Sequence, residues 1–275
     1  MRFKWEYPAF LGLLMTFAVV VVSCSKDATS PQTGIPRAEP RSSQQKLVDL
    51  QDKYGWTGKY HTDALAHVFD RLSHGQAFAS KAEKCHAAVA ALKEFNKSFS
   101  KDGKSKGMGD DFVSDAVCSG ASIPNPAPAP AGINASLSPK AIAMLQQISN
   151  QFDSGASAAA VVSNVNAIES AASKSLSPEE AGAVVSLGSV AISSAQYWNA
   201  NLPSWKSSLS SGGPVANVMT TGGVVPLANM SGGIDIGKAD VVAFFGSLIF
   251  GWWMGAFDLE VSAVRAVIAS LMAAL

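Results

Sequence analysis

Residues 241–257, VVAFFGSLIFGWWMGAF, and residues 261–275, VSAVRAVIASLMAAL, decide how the rest of the chain is read. Only Asp258 and Glu260 break the apolar run between them. In the first stretch Ala243, Ser247, Gly251 and Gly255 recur every fourth residue; in the second Ser262, Ala266, Ser270 and Ala274 do the same. Residues four apart share a helix face, so each set forms a stripe of small side chains that lets two helix backbones approach closely. The spacing predicts a hydrophobic helical hairpin over residues 240–275, turning near Phe257 and Asp258. Each arm is short for a bilayer of about 30 Å. A hairpin apolar on most faces must be covered by protein, by a second copy or by lipid.

The rest of the chain also reads as helix. Ala, Ser and Gly dominate, aromatic residues are sparse and β-branched runs are short, a composition that favours helix over strand. Leu65, Val68, Phe69 and Leu72 repeat at helical spacing, and so do Phe78, Ala82, Cys85, Val89, Leu92 and Phe99. His74-Gly75 separates these two stretches, and a short helix is expected over residues 110–117. Ser138-Pro139 and Ser177-Pro178 each set a capping serine before a proline at the first helical position, and Glu180 completes a capping box with Ser177. Helices are expected near 139–152, 156–174 and 178–199. The fold class is all-α: bundle-like helical units joined by a Pro-rich linker, with the hydrophobic hairpin at the C-terminus.

The organisation follows from composition. Residues 45–119 form an N-terminal helical unit and residues 138–210 a C-terminal helical domain. Between them, residues 120–137 carry GASIPNPAPAPAG, a proline-rich linker. Residues 211–239 hold Gly212-Gly213, Gly222-Gly223 and Gly232-Gly233, ordinary turn material with room for a short β-hairpin.

The N-terminus has a different character. Arg2 and Lys4 precede an apolar run of about 14 residues, roughly 21 Å as a helix and too short to span, and Val21-Val22-Ser23-Cys24 closes it. This resembles the lipobox of bacterial lipoproteins. The resemblance implies a signal peptide over 1–23, lipidation (palmitate) at Cys24, a polar tether over 24–44, and a lipid-anchored place in the bacterial cell envelope. Ser25 after the cysteine implies the outer membrane. A plain secretory signal is the alternative. Cleavage after Ser23 removes Arg2, Lys4 and Glu6 from 21 basic and 21 acidic residues, leaving 19 and 20. Such a balance gives no electrostatic case for nucleic acid. Cys85 and Cys118 then form an even pair in an oxidising compartment. A disulfide is the expected state and two free thiols the alternative. The loop of about 34 residues would be worth on the order of 3.5 kcal/mol.

Candidate chemistry is thin. Asp63, His67, Asp70 and His74 share one helix face and could in principle meet Zn²⁺, but that face lies opposite Leu65, Val68 and Leu72 and reads as the solvated side. No metal, cofactor or catalytic residue is assigned. HExxH, GxSxG and P-loop signatures are missing. Triads are spatial rather than sequential, so an enzyme would have to gather His, Ser and carboxylate from both helical units.

Three short boxes add a resemblance. Asp240, Gly251, Gly255, Ala256, Ala269 and Ser270 are similar to the glycine-zipper segments of exported bacterial proteins. Tyr60-His61-Thr62-Asp63-Ala64-Leu65 resembles a His-Asn-x-x-Leu box, with Thr62 in place of Asn. Leu176-Ser177-x-x-Glu180 with Ser193-Ser194-Ala195-Gln196-Tyr197-Trp198 resembles a Ser-x-x-Tyr-Trp box. Together they resemble uncharacterised bacterial envelope lipoproteins with a C-terminal glycine-zipper-like helical hairpin. That resemblance implies organisation and no activity. The expected function is non-catalytic: an interaction or structural protein that packs or self-associates, as a homo-oligomer, through residues 240–275. The alternative is a membrane-active protein, bacteriocin-like or pore-forming, whose hairpin inserts into lipid.

Overall fold

Serine starts most of the helices. In the computed structural model Ser42, Ser80, Ser138, Ser157 and Ser177 each turn a side-chain oxygen onto a backbone N–H three residues on, at 3.1–3.3 Å, satisfying one of the donors a helix start leaves open. The helices are α1 (Ser43–Tyr54), α2 (Trp56–Ser73), α3 (Lys81–Ser98), α4 (Pro139–Asn150), α5 (Ala158–Ser175), α6 (Pro178–Leu209), α7 (Gly233–Trp253) and α8 (Leu259–Ala274). A 3₁₀ turn covers Asp115–Ser119. The structure describes residues 42–74, 78–99, 113, 115–119, 137–152, 156–209, 217–220, 223–226, 233–253 and 259–275. Cys24 with the signal segment, the linker through residue 136, Gly255 and the turn between α7 and α8 lie outside them. The fold is all-α; among the described residues the exception is a two-stranded antiparallel ribbon, β1 (Asn217–Thr220) with β2 (Gly223–Pro226), inside the Gly-rich connection.

The capping box at Ser177 does more than start a helix. Glu180 accepts from the Ser177 N–H at 3.4 Å and, with its other oxygen, from the Ser138 N–H at 2.7 Å. One carboxylate therefore fastens the starts of both α4 and α6. Burial pushes the Glu180 carboxyl up, but the hydrogen bonds from Ser138 and Ser177 outweigh it and hold it below its ordinary range.

Three boundaries differ from the sequence reading. The helix expected to end near 199 continues to Leu209 through Pro203. Proline forfeits a backbone hydrogen bond, yet Leu202 and Trp205 on either side of it are buried, and their burial holds the extra turns in place. The hairpin helix starts at Gly233, seven residues ahead of the expected start, because Ile236 is already core and Gly237 sits against the Phe152 ring. The short helix expected over 110–117 runs two residues further, as the 3₁₀ turn Asp115–Ser119 that includes Cys118; residues 110–112 and 114 lie outside the described residues.

The described residues belong to one compact unit, Arg41–Leu275, with a continuous core. Helix α2 lies against α6 at very close range. A Cβ at Gly58 would run into the Ser189 carbonyl oxygen and the Ser189 and Ser193 hydroxyls. Thr57 Oγ1 donates to the Ser186 carbonyl at 2.9 Å, and Ser189 Oγ to the Gly55 carbonyl at 2.9 Å. Helix α8 is the most enclosed element: twelve of its sixteen residues are buried, among α2, α3, α6 and α7. Full burial of a Leu, Ile or Phe is worth roughly 1.5–3 kcal/mol, so Leu248, Phe244, Leu271 and Ile268, all essentially inaccessible, make the hairpin a main contributor to the core. Cys85 of α3 is bonded to Cys118 with Cα atoms 5.7 Å apart, and Met272 of α8 lies against it, its sulfur 3.9 Å from that of Cys85.

Candidate functional site

The densest polar grouping in the body lies where α2, α6, α7 and α8 meet. His61 falls four positions before Leu65, so it belongs to the buried stripe of α2 with Ala64, Leu65, Val68 and Leu72. Asp240 is carried inward by α7, one residue from buried Val241. Ser194 and Trp198 are one turn apart on α6, and Ser270 comes from α8. The side chains of His61 and Asp240 are both 0% exposed.

Asp240 is the hub. Its Oδ2 accepts from Ser194 Oγ at 2.5 Å and from Trp198 Nε1 at 3.2 Å, and lies 3.0 Å from His61 Nε2. Its Oδ1 accepts from the Ser270 hydroxyl. Trp198 Nε1 also reaches Ser270 Oγ at 3.1 Å. A carboxylate removed from water is very costly unless it is paired and fully hydrogen-bonded. Three donors, Ser194 and Trp198 from α6 and Ser270 from α8, meet that requirement here, with the His61 ring of α2 beside them.

The constellation His61, Ser194 and Asp240 contains the residue types of a hydrolytic triad and draws them from both expected helical units. Its wiring is different. In a triad, histidine accepts the serine proton on one ring nitrogen and holds the carboxylate with the other. Here Ser194 Oγ, at 3.3 Å, and Asp240 both face His61 Nε2, while Nδ1 has no hydrogen-bond partner among the described residues. Ser194 spends its own hydrogen on the Asp240 carboxylate, so toward His61 Nε2 its oxygen can only accept, the reverse of the proton transfer a triad needs. The grouping is a clamp between helices.

Around the hub the aromatic residues are also satisfied. Tyr60 Oη donates to Asn96 Oδ1 at 2.6 Å, and burial pushes its hydroxyl well above the ordinary value, far more than that bond lowers it. Tyr197 is pushed up to about 12 by burial, and its oxygen accepts from Trp205 Nε1 at 3.0 Å. Both phenols stay neutral at physiological pH. Trp198 packs against Trp205 at 5.3 Å between ring centroids, and Trp205 against Phe69 at 5.0 Å.

The remaining sequence candidates lie apart from the hub. Asp63, His67, Asp70 and His74 stand on the outer face of α2, where Asp63 pairs with Lys59, His74 with Asp70, and His67 Nε2 lies 3.9 Å from Glu94. Among the described residues no group of three or more His, Cys, Asp or Glu is placed to hold a metal ion. Of the small-residue stripe, Ser262, Ala266, Ser270 and Ala274 are buried, Ser247 accepts from Arg265 Nη1 at 3.2 Å, and Ala243 is half-buried. Gly251 lies on α7. Gly246, outside the stripe, faces open space.

Sequence reasoning missed Asp240 and Ser194 as partners of His61. The available signal was positional: all three lie in the short boxes Tyr60–Leu65, Ser193–Trp198 and the one opening at Asp240, and the structure brings these boxes together at one point. No protein-family model, curated protein or solved structure matches the chain. Among the described residues no helix is long and apolar enough to cross a membrane.

Proposed function

We propose that the protein is a non-catalytic component of the bacterial envelope, lipid-anchored through Cys24 and carrying an all-helical body whose C-terminal hairpin serves as core. The observation that carries this reading is the Asp240 hub. Among the described residues, the grouping with the residue types of a catalyst is sealed from solvent and joins four helices. The burial of α8 supports packing within the chain as the role of residues 240–275, ahead of self-association through the same face. The body's part is then to present its outer helices to other envelope components, with the acyl chains as the membrane contact; more than one chain makes such anchoring stable.

The test compares the full-length, acylated protein with a Cys24→Ser protein produced without residues 1–23. Detergent-phase partitioning and palmitate labelling are expected for the first alone. The second should remain in water, fold, and leave dye-loaded anionic vesicles intact. Vesicle binding with leakage by the Cys24→Ser protein would overturn the reading in favour of a membrane-active hairpin.

A further inference from the structure

A second buried carboxylate lies far from the hub in character. Glu169 of α5 is 1% exposed and accepts one hydrogen bond among the described residues, from Gln51 Nε2 of α1 at 2.8 Å. Its other oxygen fills the notch left by Gly188 of α6, where a Cβ would strike it. Helix α1 is the lid over this group, and it is weakly held. It contains no fully buried residue; Leu50 packs against the core edge and the Tyr54 ring rests on Gly182. It is also the first helix after the expected tether.

We propose that α1 is a strap whose docking onto α5 and α6 is governed by the proton on Glu169. Protonated, the carboxyl sits under α1 as a neutral group. Ionised, it is a buried charge with one neutral donor, and the cheapest relief is for α1 to lift and let water reach it. Among the described residues no charged side chain is paired with it. Gln51 from α1 donates to it, and Gly188 of α6 leaves the space its other oxygen occupies. The ionisable residues of the packed elements are Lys46, Asp49, Asp52, Lys53 and Tyr54 on α1, Lys174 on α5, Glu179, Glu180, Tyr197 and Lys206 on α6, and Lys140 on α4. Lys53 lies over the Tyr54 ring and Glu180 is held by Ser138 and Ser177. Burial pushes the Glu169 carboxyl up to about 7, against a smaller lowering by the Gln51 hydrogen bond, which puts the transition near neutral pH. The strap would thus tie the attachment of the anchored end of the body to external acidity, a role that does not depend on the hub.

The experiment is amide hydrogen exchange on the soluble Cys24→Ser protein between pH 5 and 8, each rate divided by its intrinsic value at that pH. Protection of α1 amides is expected to fall roughly tenfold per pH unit between about 5 and 7 and then level off, while α6 amides around Leu187 stay protected. Glu169→Gln should flatten the profile. Gln51→Leu, at an exposed position and so tolerated by the fold, removes the one bond that favours the ionised form and should move the transition to higher pH. A pH-independent α1 in the parent protein, or the same slope in Glu169→Gln, would overturn the proposal; so would Gln51→Leu leaving the transition where it was.

Discussion

Asp240 and Glu169 are two buried carboxylates with opposite surroundings. Among the described residues Asp240 accepts from Ser194, Trp198 and Ser270 on two other helices, with His61 of a third at 3.0 Å; Glu169 has one donor, an exposed side chain on a marginal helix. The first arrangement compensates the charge and turns it into a joint. The second leaves burial uncompensated and turns the group into a point of sensitivity. The lesson is that burial of an acid predicts neither rigidity nor function; the number and anchorage of its donors do.

The most severe way to break this contrast is Asp240→Ala. It removes the acceptor shared by Ser194, Ser270 and Trp198 Nε1 and leaves these buried groups and His61 with only one another, and loss of one partner of such a network costs about 3–5 kcal/mol. Urea denaturation should show a large drop in midpoint or a failure to fold. A loss under about 1 kcal/mol would mean that the hub is incidental to the packing.

Glu169 tests the other side. Its folded carboxyl lies above the ordinary 4.5 at about 7, so the stability it contributes is full below pH 4.5 and is lost as pH rises to about 7. The loss is up to about 3 kcal/mol, reduced where α1 opens first. The difference in unfolding free energy between the parent and Glu169→Gln should therefore change across that window and be constant above it. A constant difference from pH 4.5 to 8 would remove the contrast.

Glycine substitutions sharpen it more finely. Gly58→Ala places a methyl group against the Ser189 carbonyl, backbone that cannot swing aside, and overpacking of this kind costs typically 1–3 kcal/mol. Gly246→Ala, in open space on α7, should instead stabilise by about 0.5–1 kcal/mol through helix propensity. Thermal melts of the two variants should move in opposite directions.

Local structure was legible in the sequence wherever one side chain settles it. Ser138, Ser177 and Glu180 announced two helix starts because a cap is a contact within four residues. Leu65, Val68 and Leu72 announced the buried stripe of α2, and the period of four in Ser262, Ala266, Ser270 and Ala274 announced a closely packed α8. Boundaries were less legible: Pro203 reads as a stop, and only the burial of Leu202 and Trp205 carries α6 past it. The site was least legible. His61 stands beside the solvated Asp63 and His67 in sequence, and its meaning rests on Ser194 and Asp240, 133 and 179 positions away.

By itself, then, the sequence determined the all-α class, the capped helix starts and the apolar C-terminal helices, because propensity, capping and periodicity act over a turn or two of chain. Tertiary structure alone decided that α8 is enclosed by α2, α3 and α6, that Asp240 gathers three donors beside His61, and that Glu169 has one among the described residues. Those are questions of which distant groups share a small dry volume, and the energy of a buried charge is set by its neighbours in space.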